Sequence, residues 1–347
     1  MICKNIFFYT IVLFVFFGFQ KISSSIKDTS EYNIDQKWNV KSLSELQKTL
    51  IKVNSGDTVF IPGDKIFDLT HSTPLIVPSG VTLMSDRGIN NNKGALLFTN
   101  NFATNPMIYC RGNNIKVVGL RIKGPDGEIK QEKVVSAKIR QARKEKKPQS
   151  IINRIYVYGL PNSRGIKMDG HNITIDNCEI YNWSHAGAYI GENTRATIKN
   201  SFIHHNQRIG LGYGILVQGE AEIFNNTFDY NRHAIASSGK DNVVYHAHHN
   251  TCLENSMIQG HVFDVHGGKD RKDGTNIAGK RITINNNTFF VNNNKEIFRI
   301  RGVSKEVSDV FDNIIYLKSK YKNTDLIRQT NGKGNLKIEN NKVIITD

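Results

Sequence analysis

Nine of the eleven histidines fall between His185 and His266. The densest stretches run Tyr230-Asn231-Arg232-His233, then Tyr245-His246-Ala247-His248-His249, then His261-Val262-Phe263-Asp264-Val265-His266. Imidazoles titrate near neutrality, so histidines gathered with a carboxylate and guanidiniums suit proton transfer on a charged substrate. His246 and His248 stand two residues apart, which places both on one face of a strand. With Glu222 beside them they could hold zinc or a similar divalent metal, although the residues require no cofactor. There is no repeated Gly/Asp calcium loop.

Such groups need elements that bring them together, and the chain carries a repeat that can do so. Asn177–Asn182, Asn226–Asn231, Asn250–Asn255 and Asn287–Asn292 share the pattern Asn-x-x-x-x-Asn, and Asn200–His205 fits with histidine last. Asn313 and Asn341 head degenerate copies, so the steps between leading asparagines are 23, 26, 24, 37, 26 and 28 residues. Short alternating runs precede several of them (Ile173-Thr-Ile175, Ala221-Glu-Ile223, Ile282-Thr-Ile284), the signature of strands with one buried face. Second strands follow at Gly214–Val217, Ala234–Ala236, Val262–Val265 and Ile297–Ile300. Coils of this length stack as a β-solenoid at about 4.8 Å per rung, with an asparagine at one corner bonding to its neighbours above and below. A propeller blade would need about 40 residues and four strands.

The repeat also sets a register. Aligning Gly219, Gly239, Gly267 and Gly302 puts Ile215, Ile235, Phe263 and Phe298 in one inward column. Asp264 and His266 then face outward, beside Arg299 and Arg301 of the next coil. His261 runs against simple alternation and must precede its strand at a bend. There it continues a column from Tyr213 and His233, with Arg232 in the adjoining turn. The expected catalytic set is therefore Tyr213, Arg232, His233, His261, Asp264 and His266, with Arg208, Arg299 and Arg301 binding substrate. The structural alternatives are an Asp264–Arg299 ion pair and a ring ladder that serves only packing.

Ser42 to Val53 reads as an amphipathic helix with Leu43, Leu46, Leu50 and Ile51 on one face. It leads into Gly56-Asp-Thr-Val-Phe-Ile-Pro-Gly63, and Gly80–Met84 and Asn114–Lys123 read as earlier coils. This combination resembles the pectate-lyase-like superfamily over about residues 38–345. The resemblance implies an all-β, single-domain, right-handed parallel β-helix whose N-terminal helix caps the first coil and blocks edge pairing. It leaves chemistry open, because the fold carries lyases, hydrolases, epimerases and binding proteins. The available groups point first to a polysaccharide lyase acting on a uronate chain. Arginines would neutralise the carboxylate, a histidine would take the adjacent proton, and Tyr213 or another histidine would protonate the leaving oxygen. A glycoside hydrolase would need two facing carboxylates. Asp264 is one, and Asp229, Glu222 and Glu254 have no convincing register as the other. A non-catalytic carbohydrate-binding or adhesion solenoid would instead spread aromatic platforms along the groove.

The totals bound these readings. The 347 residues carry a net charge of +15, which suits an anionic polysaccharide. Nucleic acid is not an expected partner, because the basic residues are dispersed. Met1–Lys4 is basic, Ile6–Phe19 is apolar and Gln20–Ser25 is polar, the form of a signal peptide and too short for a usual transmembrane helix. Residues 1–25 are thus expected to be removed, leaving a monomeric β-helix of residues 26–347 that is secreted, periplasmic or on the cell surface. Cys110, Cys178 and Cys252 are too few for a disulfide framework and read as buried thiols, with one pair at most. The charged stretch at about 125–150 reads as either a helical excursion or a mobile loop.

Overall fold

The computed structural model describes residues 38–347 apart from 127–129, 209, 257–259 and 323. The expected export segment lies outside the described residues. Short strands stack in parallel into three sheets, here sheets I, II and III, with 11, 10 and 9 strands. Each coil visits them in that order. One coil runs through Ile173–Asp176, Glu179–Tyr181 and Ala186–Ile190, and Arg195–Lys199 begins the next in sheet I. Every second side chain enters the bore. Ile175, Ile198, Ile223, Ala247, Ile284 and Val310 form one such row in sheet I. In sheet III, Ile215, Ile235, Phe263 and Phe298 stack in the expected register, all fully buried.

The corner between sheets I and II uses two adjacent columns. In the first, Gly119, Asn177, Asn200, Asn225, His249, Asn286, Asp312 and Asn340 all have positive φ, which turns the chain sharply. Glycine and asparagine tolerate that left-handed conformation best. The second column is the amide ladder, in which Asn226, Asn250, Asn287, Asn313 and Asn341 each engage the next at about 3 Å. This corrects the sequence alignment for the early coils. Asn177 and Asn200 belong to the left-handed column, and the ladder passes through Cys178 and Ser201, whose hydroxyl accepts from the Cys178 amide. Asparagine suits both columns, so residue type alone could not separate positions one residue apart.

Helix α1 (Leu43–Lys52) begins at Ser42, whose side chain accepts from the Glu45 amide, and packs Leu46 and Leu50 onto the end of the core. Ile51, expected on the same face, is 85 % exposed. It lies about 100° around the helix from Leu50 and so faces away from the first coil. The charged excursion is helical, comprising α2 (Lys130–Lys144) and α3 (Gln149–Tyr158), with a small core of Val135, Ile139, Ala142 and Ile152. Cys110, Cys178 and Cys252 are all buried and unpaired. No helix among the described residues is long and apolar enough to cross a membrane.

Candidate active site

The cluster forms on the outer face of sheet III. Asp264 lies at the middle of strand Phe263–Val265, between two side chains that enter the bore, so its carboxylate projects outward. Outward does not mean exposed here: the residue is 0 % accessible. Arg301 donates to both carboxylate oxygens at 2.9 and 2.7 Å. His266 Nε2 lies 3.2 Å away, His233 Nε2 3.6 Å and His261 Nε2 4.0 Å. Burial opposes ionisation of Asp264, yet the surrounding His233, His266 and Arg301 hold its pKa well below the ordinary carboxylate range.

The expected ring column is present. Tyr213 stacks on His233 at 5.9 Å between centroids, and His233 stacks on His261 at 5.4 Å. His261 precedes its strand, as the broken alternation required. His233 Nδ1 lies 2.6 Å from the His261 carbonyl, which makes Nδ1 the donor. Its Nε2 has no hydrogen-bond partner among the described residues and faces Asp264. Arg232 lies 5.8 Å over the Tyr213 ring, and its Nη1 is without a hydrogen-bond partner among the described residues.

Two expectations change. Asp264 and Arg299 are strand neighbours, but Arg299 pairs with Glu296 on its own coil. Arg301, two residues further on, reaches diagonally to Asp264 instead, because its long stem can cross a rung that the short aspartate cannot. Arg208 is turned into the protein and makes no hydrogen bond or ion pair with the Asp264 cluster among the described residues. It is 3 % exposed, and its guanidinium donates to the carbonyls of Leu160 (2.8 Å) and Pro161, tying down the chain that leaves α3.

The sequence reading missed Glu296 and Asp270. Glu296 Oε2 accepts from His261 Nδ1 at 2.8 Å, and Arg328 approaches its other oxygen at 3.5 Å. Burial works against its ionisation, but the Arg299 hydrogen bond, with His261 nearby, brings its pKa down to about 2. Extending the Tyr213–His233–His261 column by one coil lands on Glu296, so the register contained this signal. Asp270 comes from the short helix α4 (Gly268–Arg271), part of the extra chain in the 37-residue step, and stands 3.7 Å from His266 Nδ1. Further along the same outer face, Arg164 covers the Tyr189 ring at 4.3 Å, and Lys167 pairs with Asp169 at 2.6 Å. Cations and aromatic rings thus line this wall over several coils.

Burial of His233 has a measurable consequence. Desolvation pushes its pKa down to about 3, against Asp264, which works to raise it. The unfolded chain therefore binds a proton below about pH 6.5 that the folded chain refuses until about pH 3. Folding stability should fall with acidification through that window by up to about 1.4 kcal/mol per pH unit from this group. Comparing denaturant unfolding of wild type and His233→Gln between pH 6.5 and 4 tests this. The variant should lose the extra slope, and parallel curves would refute it.

The expected metal group also assembles, but on sheet I. Glu222, His246 and His248 bring three ligand atoms within 4.8 Å of one another, with Glu222 and His246 paired across strands as expected.

No curated protein sequence matches the chain. Among solved structures, an alginate lyase from Paenibacillus sp. str. FPU-7 superposes with a TM-score of 0.56 at 14 % identity, over 88 % of this chain and 94 % of that one. The Dettilon tailspike protein gives 0.54 at 13 % identity over 87 % of this chain, which spans only 58 % of the tailspike. At such identities the likeness is one of fold, and it agrees with the three-sheet solenoid. Residues 146–343, more than half of the chain, match the family described as right handed beta helix region, and the protein belongs to that family.

Proposed function

We propose that the protein is a secreted polysaccharide lyase that cleaves a uronate-containing chain by β-elimination along the outer face of sheet III. The observation that carries this reading is the buried Asp264 held against three histidines and Arg301. His266 is the base: its side chain is 31 % exposed against 11 % for His261 and 1 % for His233. Asp264 accepts the Nε2 proton and leaves Nδ1 as a lone pair. Arg232 neutralises the substrate carboxylate, which makes the adjacent proton acidic. As His266 takes that proton, its electron pair becomes the new double bond and the bond to the β oxygen breaks. Tyr213, whose pKa burial raises so that it stays protonated, donates its hydroxyl proton to the departing oxygen. The fold likeness to an alginate lyase makes alginate the first substrate to try.

Hydrolysis is the competing reading, since Asp264 and Glu296 now supply two carboxylates. A glycosidase needs one of its pair protonated, with a raised pKa. Both acids here are held ionised, Glu296 at about 2. Incubating the protein with alginate and polygalacturonate should generate ultraviolet absorbance from unsaturated uronate ends. Arg232→Ala should slow that reaction by about 100-fold or more while the chain stays folded. New reducing ends without absorbance would move the reading to hydrolysis. Binding of the polymer without cleavage would leave an adhesion solenoid.

A further inference from the structure

The sheet III site does not use Glu222, His246 and His248, which stand on the outer face of sheet I. Glu222 lies in strand Glu220–Phe224, and both histidines lie in the neighbouring strand Val244–His248. One carboxylate oxygen, Glu222 Oε1, is 3.0 Å from His246 Nδ1 and 2.7 Å from His248 Nε2. His246 Nε2 sits 2.6 Å from Asn285 Oδ1 on the next coil. An amide oxygen can only accept, so the neutral ring carries its proton on Nε2 and turns the Nδ1 lone pair towards the carboxylate. Two electron-rich atoms then face each other at hydrogen-bond distance, an arrangement that needs a cation between them, either a second proton on the ring or a metal ion in its place. His248 is braced as well: its ring stacks on Phe224 at 5.0 Å, and its Nδ1 meets His249 Nδ1 at 2.8 Å.

We propose that Glu222, His246 and His248 form a binding site for a zinc-like divalent cation, with an open position on the solvent side. Two imidazole nitrogens and one carboxylate suit zinc, whereas magnesium and calcium prefer all-oxygen shells. Tetrahedral ligands at zinc distances stand about 3.3 Å apart, so the carboxylate has to draw back from each imidazole by a few tenths of an ångström, while the two imidazole nitrogens, within 4.8 Å of each other, take up the same spacing. All three side chains keep contact with solvent, which gives the metal an entry path and a water ligand. Asn285 acts as the outer partner that orients His246, a role usually worth about 10–100-fold in metal affinity. The ion would clamp two successive coils together.

The test is equilibrium dialysis of the untagged, chelator-treated full chain against Zn²⁺, with thermal unfolding alongside. The wild type should retain one zinc per chain and unfold at a higher temperature with the metal, and neither should occur with Mg²⁺ or Ca²⁺. The double variant His246→Ala/His248→Ala should retain none, Glu222→Gln should bind more weakly, and Asn285→Ala should lose about 10-fold or more. Absence of bound zinc on the wild type would overturn the proposal. So would undiminished binding by the double variant, which would move the metal elsewhere.

Discussion

Asp264→Asn should lower kcat/KM on the uronate polymer by about three to four orders of magnitude. The side chain keeps its shape, so the loss comes from charge and proton placement. The carboxylate accepts from Arg301 at 2.9 and 2.7 Å and from His266 at 3.2 Å. An amide has one accepting oxygen, and its NH2 group must now face a guanidinium or an imidazole N–H, setting donor against donor. His266 is then free to place its proton on Nδ1, the nitrogen required as the base. Among the described residues Arg301 keeps only Asp270, at 3.6 Å, as a counter-charge. Breaking a buried pair on one side usually costs about 3–5 kcal/mol, so the midpoint of unfolding should fall too. Assaying well below that midpoint separates the two effects. A variant within tenfold of wild type in rate would sink the hub role of Asp264.

Asn287→Ala should destabilise the chain by about 3–5 kcal/mol, with activity falling only as the fold is lost. Asn287 donates to the Ala247 carbonyl at 2.9 Å and to Asn313 Oδ1 at 3.0 Å, and accepts from the amide and the side chain of Asn250 at 2.9 Å. Truncation strands several buried polar groups where water cannot replace the partner. Asn200→Ala is the informative comparison. Asn200 occupies the left-handed column, and its side chain donates to Asp176 at 2.8 Å at the edge of the core. Its loss should cost about 1–2 kcal/mol, mostly backbone strain. Equal destabilisation by the two substitutions, measured by denaturant unfolding, would contradict the two-column corner.

Local spacing carried the solenoid. Alternation decides which face of a strand is buried, and a tight corner every two dozen residues favours asparagine or glycine. Both constraints act within a few residues, so the coil repeat, the inward column from Ile215 to Phe298 and the Tyr213–His233–His261 stack were legible from the text, whereas the alignment of Asn177 and Asn200 with the amide ladder was one residue out. The pairing of Glu222 with His246 and His248 followed from the same period.

Register told less about partners. It placed Arg299 next to Asp264 along the sheet, but a guanidinium on a long stem chooses among acids within several ångströms. Arg299 found Glu296 and Arg301 found Asp264. Arg208 reads as a surface cation until the helical excursion brings the Leu160 and Pro161 carbonyls onto it.

The clustered histidines and their outward face were therefore set by the sequence itself, because strand period and coil length are local properties. Stacking coils and inserted chain alone decided that Asp264 is shut from solvent against Arg301 and three histidines, that His261 is backed by Glu296, and that part of the His266 side chain stays exposed. Burial and charge are sums over neighbours distant in the chain, and no spacing within one coil records them.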